Sequence, residues 1–187
     1  MVAPANNAVD RLLAALPMKS EGGARVVAEM GFPTTRDEDW RFTNVSPLKE
    51  LEFSPAETDP SAQLEGCLFG SLEGPRLVFV NGFYSAELSN VGDLPNGVQV
   101  SSVAKALAQH ESVFKNQFTH RDTDAFAALN TACFTDGAFV RVPDGVAMET
   151  PIRIYHLSTA GDGATANIRS LIVVGENSLA TVVESSL

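Results

Sequence analysis

The chain is poor in cysteine, in tryptophan and in basic residues, and each shortage excludes something. Its two cysteines, Cys67 and Cys133, lie far apart in unlike surroundings, which argues against a disulfide framework and against a local metal clip. Neither has a partner at the spacing of a ferredoxin-like cluster. Lysine and arginine number 13 against 23 aspartates and glutamates, a formal charge of −10. A field of that sign repels phosphate backbones and anionic lipid, so nucleic acid and membrane are not expected partners. No apolar run approaches the ~20 residues that span a bilayer. The opening stretch, 1–17, lacks the basic flank and long apolar stretch of a secretory signal. The predicted compartment is the cytosol, or the plastid stroma if the source is a photosynthetic eukaryote. The chain has no pair of histidines at helical zinc spacing and no Gly-x-Ser-x-Gly nucleophile elbow.

What is present suits a globular fold: 187 residues with 44% hydrophobic content fill one domain of ordinary size, or a small one and part of another. The most informative stretch is 125–157. Phe126, Leu129, Asn130 and Cys133 keep a helical spacing, whereas Ala138, Val140 and Val142 alternate with Phe139 and Arg141 at the period of a strand. The period changes at Asp136-Gly137. Pro143-Asp144-Gly145 supplies a tight turn, and Pro151 pushes Thr150 toward extended geometry before a second β-run over 152–157.

Upstream, the small polar residues 1–7 are expected to fray. Val9, Leu12, Leu13 and Leu16 form a helical stripe closed by Pro17; a second helix starts near Ser20, and Gly31 stands where its C-terminal cap belongs. In 31–53, Thr35 and Glu38 have the spacing of a capping box, Asp37 and Asp39 suit a helix start, and Ser46-Pro47 opens another short helix. Trp40 and Phe42 are expected to pack this segment onto the next domain. Residues 54–75 read as a linker with a short helix around 62–69, and the domain boundary falls near Ser71. The β region begins at 76–80, followed by Asn81-Gly82 and 83–88, a hairpin with a type I′ turn. Pro95-Asn96-Gly97 makes another turn, and Ser102 caps a helix running to about Lys115. Two more β-runs, 170–174 and 179–183, follow the loop at 158–166. Repeated short strands of this kind suit a sandwich, a barrel or a β-helix equally.

The residues that invite a chemical role have ordinary explanations. His110-Glu111 and His120-Arg121-Asp122 read as a solvated surface. His156 shares a strand face with Ile152 and Ile154, which predicts a satisfied, partly buried side chain. Cys67 reads as a packed thiol and Asp37-Glu38-Asp39 as helix-start electrostatics.

Two separate segments carry a family resemblance. Phe32-Pro33-Thr34, then Arg36-Asp37-Glu38-Asp39-Trp40-Arg41-Phe42-Thr43 and Pro47-Leu48, is similar to the N-terminal pattern of SufD. Asp136-Gly137, Val142-Pro143-Asp144-Gly145-Val146 and Thr150-Pro151-Ile152 resemble the entry to the β-helical core of the SufB/SufD family of iron–sulfur cluster assembly proteins. The order of the two is the family's own, and the first favours SufD over SufB. The resemblance implies an α+β, mainly β chain: a helical N-terminal domain and linker over 1–70, then the first coils of a right-handed parallel β-helix over 71–187. It implies a non-enzymatic scaffold subunit whose partners are SufB-like proteins and the SufC-like ATPase. The chain stops straight after a β-forming run without a sealing cap, so a truncated chain is expected. By the same resemblance the SufC-binding helical domain and the cluster-handling side chains fall beyond Leu187. No catalytic, cofactor or metal residue is assigned, and an iron–sulfur cluster is a matter for the full complex. The alternative is a β-helical carbohydrate-active enzyme using paired carboxylates, with Asp122, Asp124, Asp136 and Asp144 as candidates; each sits in or beside a turn, where aspartate has a conformational reason to be. A third reading is a binding module whose exposed β-edge recruits a partner strand.

Overall fold

In a computed structural model the described residues are 7–66, 71–109, 114 and 124–187. They fall into two compact units that interleave in sequence. The first draws on 7–56, 124–134 and 161–167, and the second on 57–66, 71–109, 114, 135–160 and 168–187.

The first unit is helical. Helix α1 (Asn7–Ala15) buries Val9 and Leu12, with Leu16 just past its end, at the spacing of one helical face. Helix α2 (Glu21–Met30) is capped by Ser20, whose hydroxyl accepts from the Gly23 amide at 3.3 Å. It closes at Gly31, where a φ of 68° suits glycine and the amide returns to the Val27 carbonyl at 2.8 Å. The helix α2 packs on is Ala125–Cys133, called α4 because α3 lies earlier in the chain. The two backbones approach closely because small residues meet there: a Cβ on Gly23 would lie 2.9 Å from the Ala132 amide nitrogen. Val27, Phe32, Leu129 and Cys133 complete this core. The acidic segment forms only a 3₁₀ turn, Glu38–Trp40, with Asp37 at the N-cap position. The expected capping box does not form there: Asp37 Oδ2 takes the amide and hydroxyl of Thr34 instead, at 2.7 and 3.1 Å. Ser46–Glu50 is a second 3₁₀ turn, with proline near its start. Strands β1 (Ser54–Pro55) and β7 (Ala164–Thr165) pair in parallel.

The second unit is built from parallel ladders. Strands β2 (Arg76–Val80), β6 (Ile152–Leu157) and β9 (Val182–Ser186) run parallel in that order, with the short β3 (Phe83–Tyr84) antiparallel to β2. In a second sheet β5 (Ala138–Val142) pairs antiparallel with β4 (Gln99–Ser102) and parallel with β8 (Leu171–Val174). Leu77, Phe79, Val100, Val140, Ile152 and Ile154 belong to one core cluster, while Val78, Val80, Tyr155 and Leu157 form another on the opposite face of β2 and β6. Burial on both faces is why these strands read as continuous apolar runs. Helix α3 (Val103–Leu107) follows β4 directly, and Ser102 caps it through the Lys105 amide at 3.2 Å.

The corners also stack. The turn at Asp144 lies against the turn at Glu176: Asp144 Oδ1 accepts from the Glu176 amide at 2.8 Å, and the Gly145 amide donates to the Glu176 carbonyl at 2.8 Å. Asp136 bridges Ile168, and the Arg169 amide reaches the Asp136 carbonyl at 2.9 Å.

Several sequence expectations give way here. The hairpin at Asn81-Gly82 exists, with φ of 51° and 89°, but pairs only two residues of each strand. No helix occupies 62–65, and 67–70 lie outside the described residues. Helix α3 ends at Leu107 and the chain turns at Ala108; Phe114 is again helical, and the rest of the stretch expected to reach Lys115, at 110–113 and 115, lies outside the described residues. Phe42 is 87% exposed, with the Arg41 guanidinium 4.5 Å from its ring centroid, whereas Trp40 packs on Phe126 at 5.2 Å.

Candidate functional site

Of the four aspartates that invited a catalytic reading, the three among the described residues each hold backbone. Asp124 caps α4, its Oδ1 accepting from the amides of Phe126 and Ala127 at 2.5 and 3.3 Å. Asp136, 7% exposed, accepts through one oxygen from the amides of Ala104 and Gly137, at 2.9 and 2.8 Å, and so secures the start of α3. Asp144 joins two turns. Carboxylates engaged in this way hold backbone amides in fixed positions, as end-caps do. Asp122, His110, Glu111, His120, Arg121 and Cys67 lie outside the described residues. Among the described residues no group of three or more histidines, cysteines or acids is gathered closely enough to hold a metal ion. Nor is any helix long and apolar enough to cross a membrane.

His156 is where the strand period placed it. It stacks on Phe79 at 5.6 Å with rings 28° apart, and its Nε2 meets Glu184 Oε1 at 2.6 Å. Its Nδ1 is buried without a partner, so the expected satisfaction is only half achieved. Asp37, Glu38 and Asp39, with Trp40, border a cleft of about 550 Å³ within the first unit.

Cys133 sits on the buried side of α4 and donates to the Leu129 carbonyl at 3.1 Å. Burial pushes its thiol up to about 11 from the ordinary 9.0. Because the raised value favours the protonated native form, its contribution to stability is whole below pH 9 and is lost as pH climbs toward 11. Only the thiolate alkylates. Iodoacetamide at pH 8 should therefore leave Cys133 unmodified in the folded protein and modify it fully in urea, as read by mass spectrometry of its tryptic peptide. Rapid labelling without denaturant would show that the core around α4 opens.

Two strand edges among the described residues are candidate binding surfaces. β9 ends the four-stranded sheet and β8 the three-stranded one, so each presents a row of backbone donors and acceptors on its outer side. Ile172 and Val174, paired with Val140 and Val142 of the core, are 44% and 46% exposed, and Leu179, bridged to Ala147, is 64% exposed. Apolar side chains in register with a buried layer, beside free backbone, fit a strand laid on in parallel.

The family model described as the SufBD protein N-terminal region matches residues 15–154, most of the chain. The chain belongs to the SufB/SufD family. A SufBD family protein of iron–sulfur cluster assembly from Synechocystis sp. is 35% identical over 175 residues, covering 89% of this chain and 38% of that protein. The iron–sulfur cluster assembly protein SufD of Escherichia coli is 27% identical over 157 residues, 82% of this chain and 35% of its own length. SufB of Bacillus subtilis is 33% identical over 91 residues, 47% of this chain and 19% of its own. The chain thus spans little more than a third of the SufB/SufD relatives it matches along most of its length. The family match includes both sequence segments that carried the resemblance, at 32–48 and 136–152.

Sequence reasoning missed one residue that matters to this architecture. Asn81 was read for its turn conformation alone, yet its buried side chain also ties the turn to Glu57, Thr159 and Ala160. The available signal was the Asn-Gly pair itself, which does not tell whether the amide faces water or protein.

Proposed function

We propose that the chain is the N-terminal part of a non-catalytic scaffold subunit in iron–sulfur cluster assembly, working in the cytosol or plastid stroma with a SufB-like partner and a SufC-like ATPase. Membership of the family supports the pathway. The single structural observation that supports a scaffold is the stacking of β2, β6 and β9, and of β5 and β8, in register and in parallel. From β5 to β8 and from β6 to β9 the chain returns to the neighbouring position after roughly thirty residues, the behaviour of a solenoid in which each turn contacts only its neighbours. This favours a right-handed parallel β-helix whose open layer takes the next element. Apolar side chains fill most of the interior, and the aspartates at the corners are engaged with backbone, which favours a rigid fold that offers its edges to partners. Co-expression of the gene with SufB-type and SufC-type genes of the same source should yield a co-purifying assembly. Recovery of neither partner would overturn the reading. Residues 1–187 alone should fail to retain the SufC-type ATPase, and tight retention would show that the contact lies within this region.

A further inference from the structure

The parallel register of β2 and β6 sets two arginines side by side. Arg76 pairs with Arg153, and the row continues to Val183 of β9. Neighbouring strands in a sheet stand about 4.8 Å apart, so the two side chains leave the same face of the sheet next to one another. They share that face with Val78 and Tyr155, whose apolar cluster is covered by Ala62, Leu64 and Leu88. Arg153 is 7% exposed and Arg76 is half-buried.

Two like charges at adjacent ladder positions repel, and removal from water strengthens the repulsion. The protein supplies little to offset it. Arg153 Nη2 donates to the Gly74 carbonyl at 2.7 Å, but the Nε of both arginines is buried with no acceptor. Among the described residues no carboxylate forms an ion pair with either guanidinium, although the chain as a whole carries ten more acids than bases. The nearby hollow of about 240 Å³, lined by Gly74, Asn90, Asp93 and Thr150, brings one acid into the neighbourhood without an ion pair to either arginine.

We infer that Arg76 and Arg153 form a binding site for a small oxyanion, a phosphate or carboxylate group held between two guanidinium forks. Guanidinium is the side chain suited to such a ligand, because its planar donors meet two oxygens at once and it stays charged at every working pH. The site is separate from the exposed edges of β8 and β9, and it stands whether or not the scaffold reading holds.

The test is thermal unfolding of the 187-residue chain with inorganic phosphate or glutarate, each against chloride at matched ionic strength. A rise of about 3–5 °C in Tm is expected at roughly ten times the dissociation constant, growing further with the logarithm of the anion concentration. Response to phosphate alone assigns a phosphoryl ligand, and response to glutarate assigns a carboxylate. The rise should vanish in Arg76→Met, chosen because Arg76 is the less buried of the two. In the unmutated chain the Nε–H resonances of both arginines should shift on titration with the same anion. Neither anion exceeding chloride, an undiminished rise in Arg76→Met, or unmoved Nε–H signals would overturn the site.

Discussion

Replacing Gly137 with alanine should destabilise the second unit by about 3–4 kcal/mol, among the larger effects a single methyl group can have. An added Cβ at this position would fall well inside 3.0 Å of the Arg169 carbonyl carbon and oxygen, and at 2.9 Å from the Ser170 amide nitrogen. All three are backbone, so no rotamer change can make room. Relief requires the strand segments at 136–138 and 168–170 to separate, which breaks the Arg169 amide bond to Asp136 at 2.9 Å and that of the Ala138 amide to Ser170 Oγ at 3.0 Å. It also disturbs Asp136, whose carboxylate holds the start of α3 through the Ala104 amide. Each buried group left without a partner costs about 1–3 kcal/mol. Hydrogen exchange over 138–142 and 171–174 should accelerate together, because the two strands are one ladder. Gly161→Ala is the control: nothing lies within 4 Å of its added Cβ, and it should change stability by no more than about 0.5 kcal/mol. Equal effects of the two substitutions on the urea midpoint would mean that close stacking at Gly137 does not hold the ladder.

The difference between these two glycines is invisible in the sequence, and it marks the limit of what could be read there. Periodicity found what periodicity encodes: the stripe of Val9, Leu12 and Leu16, the change of period at Asp136-Gly137, and the strand at Ile152–Leu157. Cap chemistry was legible where a short polar side chain precedes an apolar run, as at Ser102. It failed at Thr35, because two candidate caps compete within four residues and Asp37 turns back to Thr34 instead. Long-range pairing was not legible in the local signals. A strong Asn-Gly turn suggested that β2 spends its hydrogen bonds on a local hairpin, yet its main partner is β6, which follows far along the chain. Local signals say where a strand starts and stops, and they carry no information about which strand lies beside it. For the same reason nothing in Ala125–Cys133 announced that this helix leaves the β region to pack on α2. Its small residues Ala128 and Ala132 are unremarkable until Gly23 is seen against them.

The conformational role of the turn aspartates was legible. Turn aspartates were assigned conformational work on the ground that turns need them, and Asp124, Asp136 and Asp144 each have backbone amides to satisfy. What the sequence could not give is satisfaction in three dimensions. Arg76 and Arg153 are unremarkable strand arginines until the register makes them neighbours.

Asn81 joins both kinds of information and carries the other large effect. Asn81→Ala should cost about 3–4 kcal/mol, from two sources that can be separated. The first is conformational: at φ 51° an alanine pays the left-handed penalty of about 1 kcal/mol, which glycine escapes. The second is polar. The amide group, 5% exposed as a residue, donates through Nδ2 to the Glu57 carbonyl at 2.9 Å and to Thr159 Oγ1 at 3.0 Å, and accepts through Oδ1 from the amides of Thr159 and Ala160 at 2.9 and 3.2 Å. Truncation strands the Glu57 carbonyl and two amides near a buried turn. Asn81→Gly should therefore be less damaging than Asn81→Ala by about 1 kcal/mol while still losing the larger polar part. Asn81→Asp keeps both acceptor bonds but turns a carboxylate oxygen toward the Glu57 carbonyl, and at neutral pH it should be at least as destabilising as alanine. Urea midpoints of the three variants measure the split. If Asn81→Gly matches the parent chain, the side-chain bonds contribute nothing and the turn alone fixes this corner; if glycine and alanine are equally damaging, the backbone at this turn is not held left-handed.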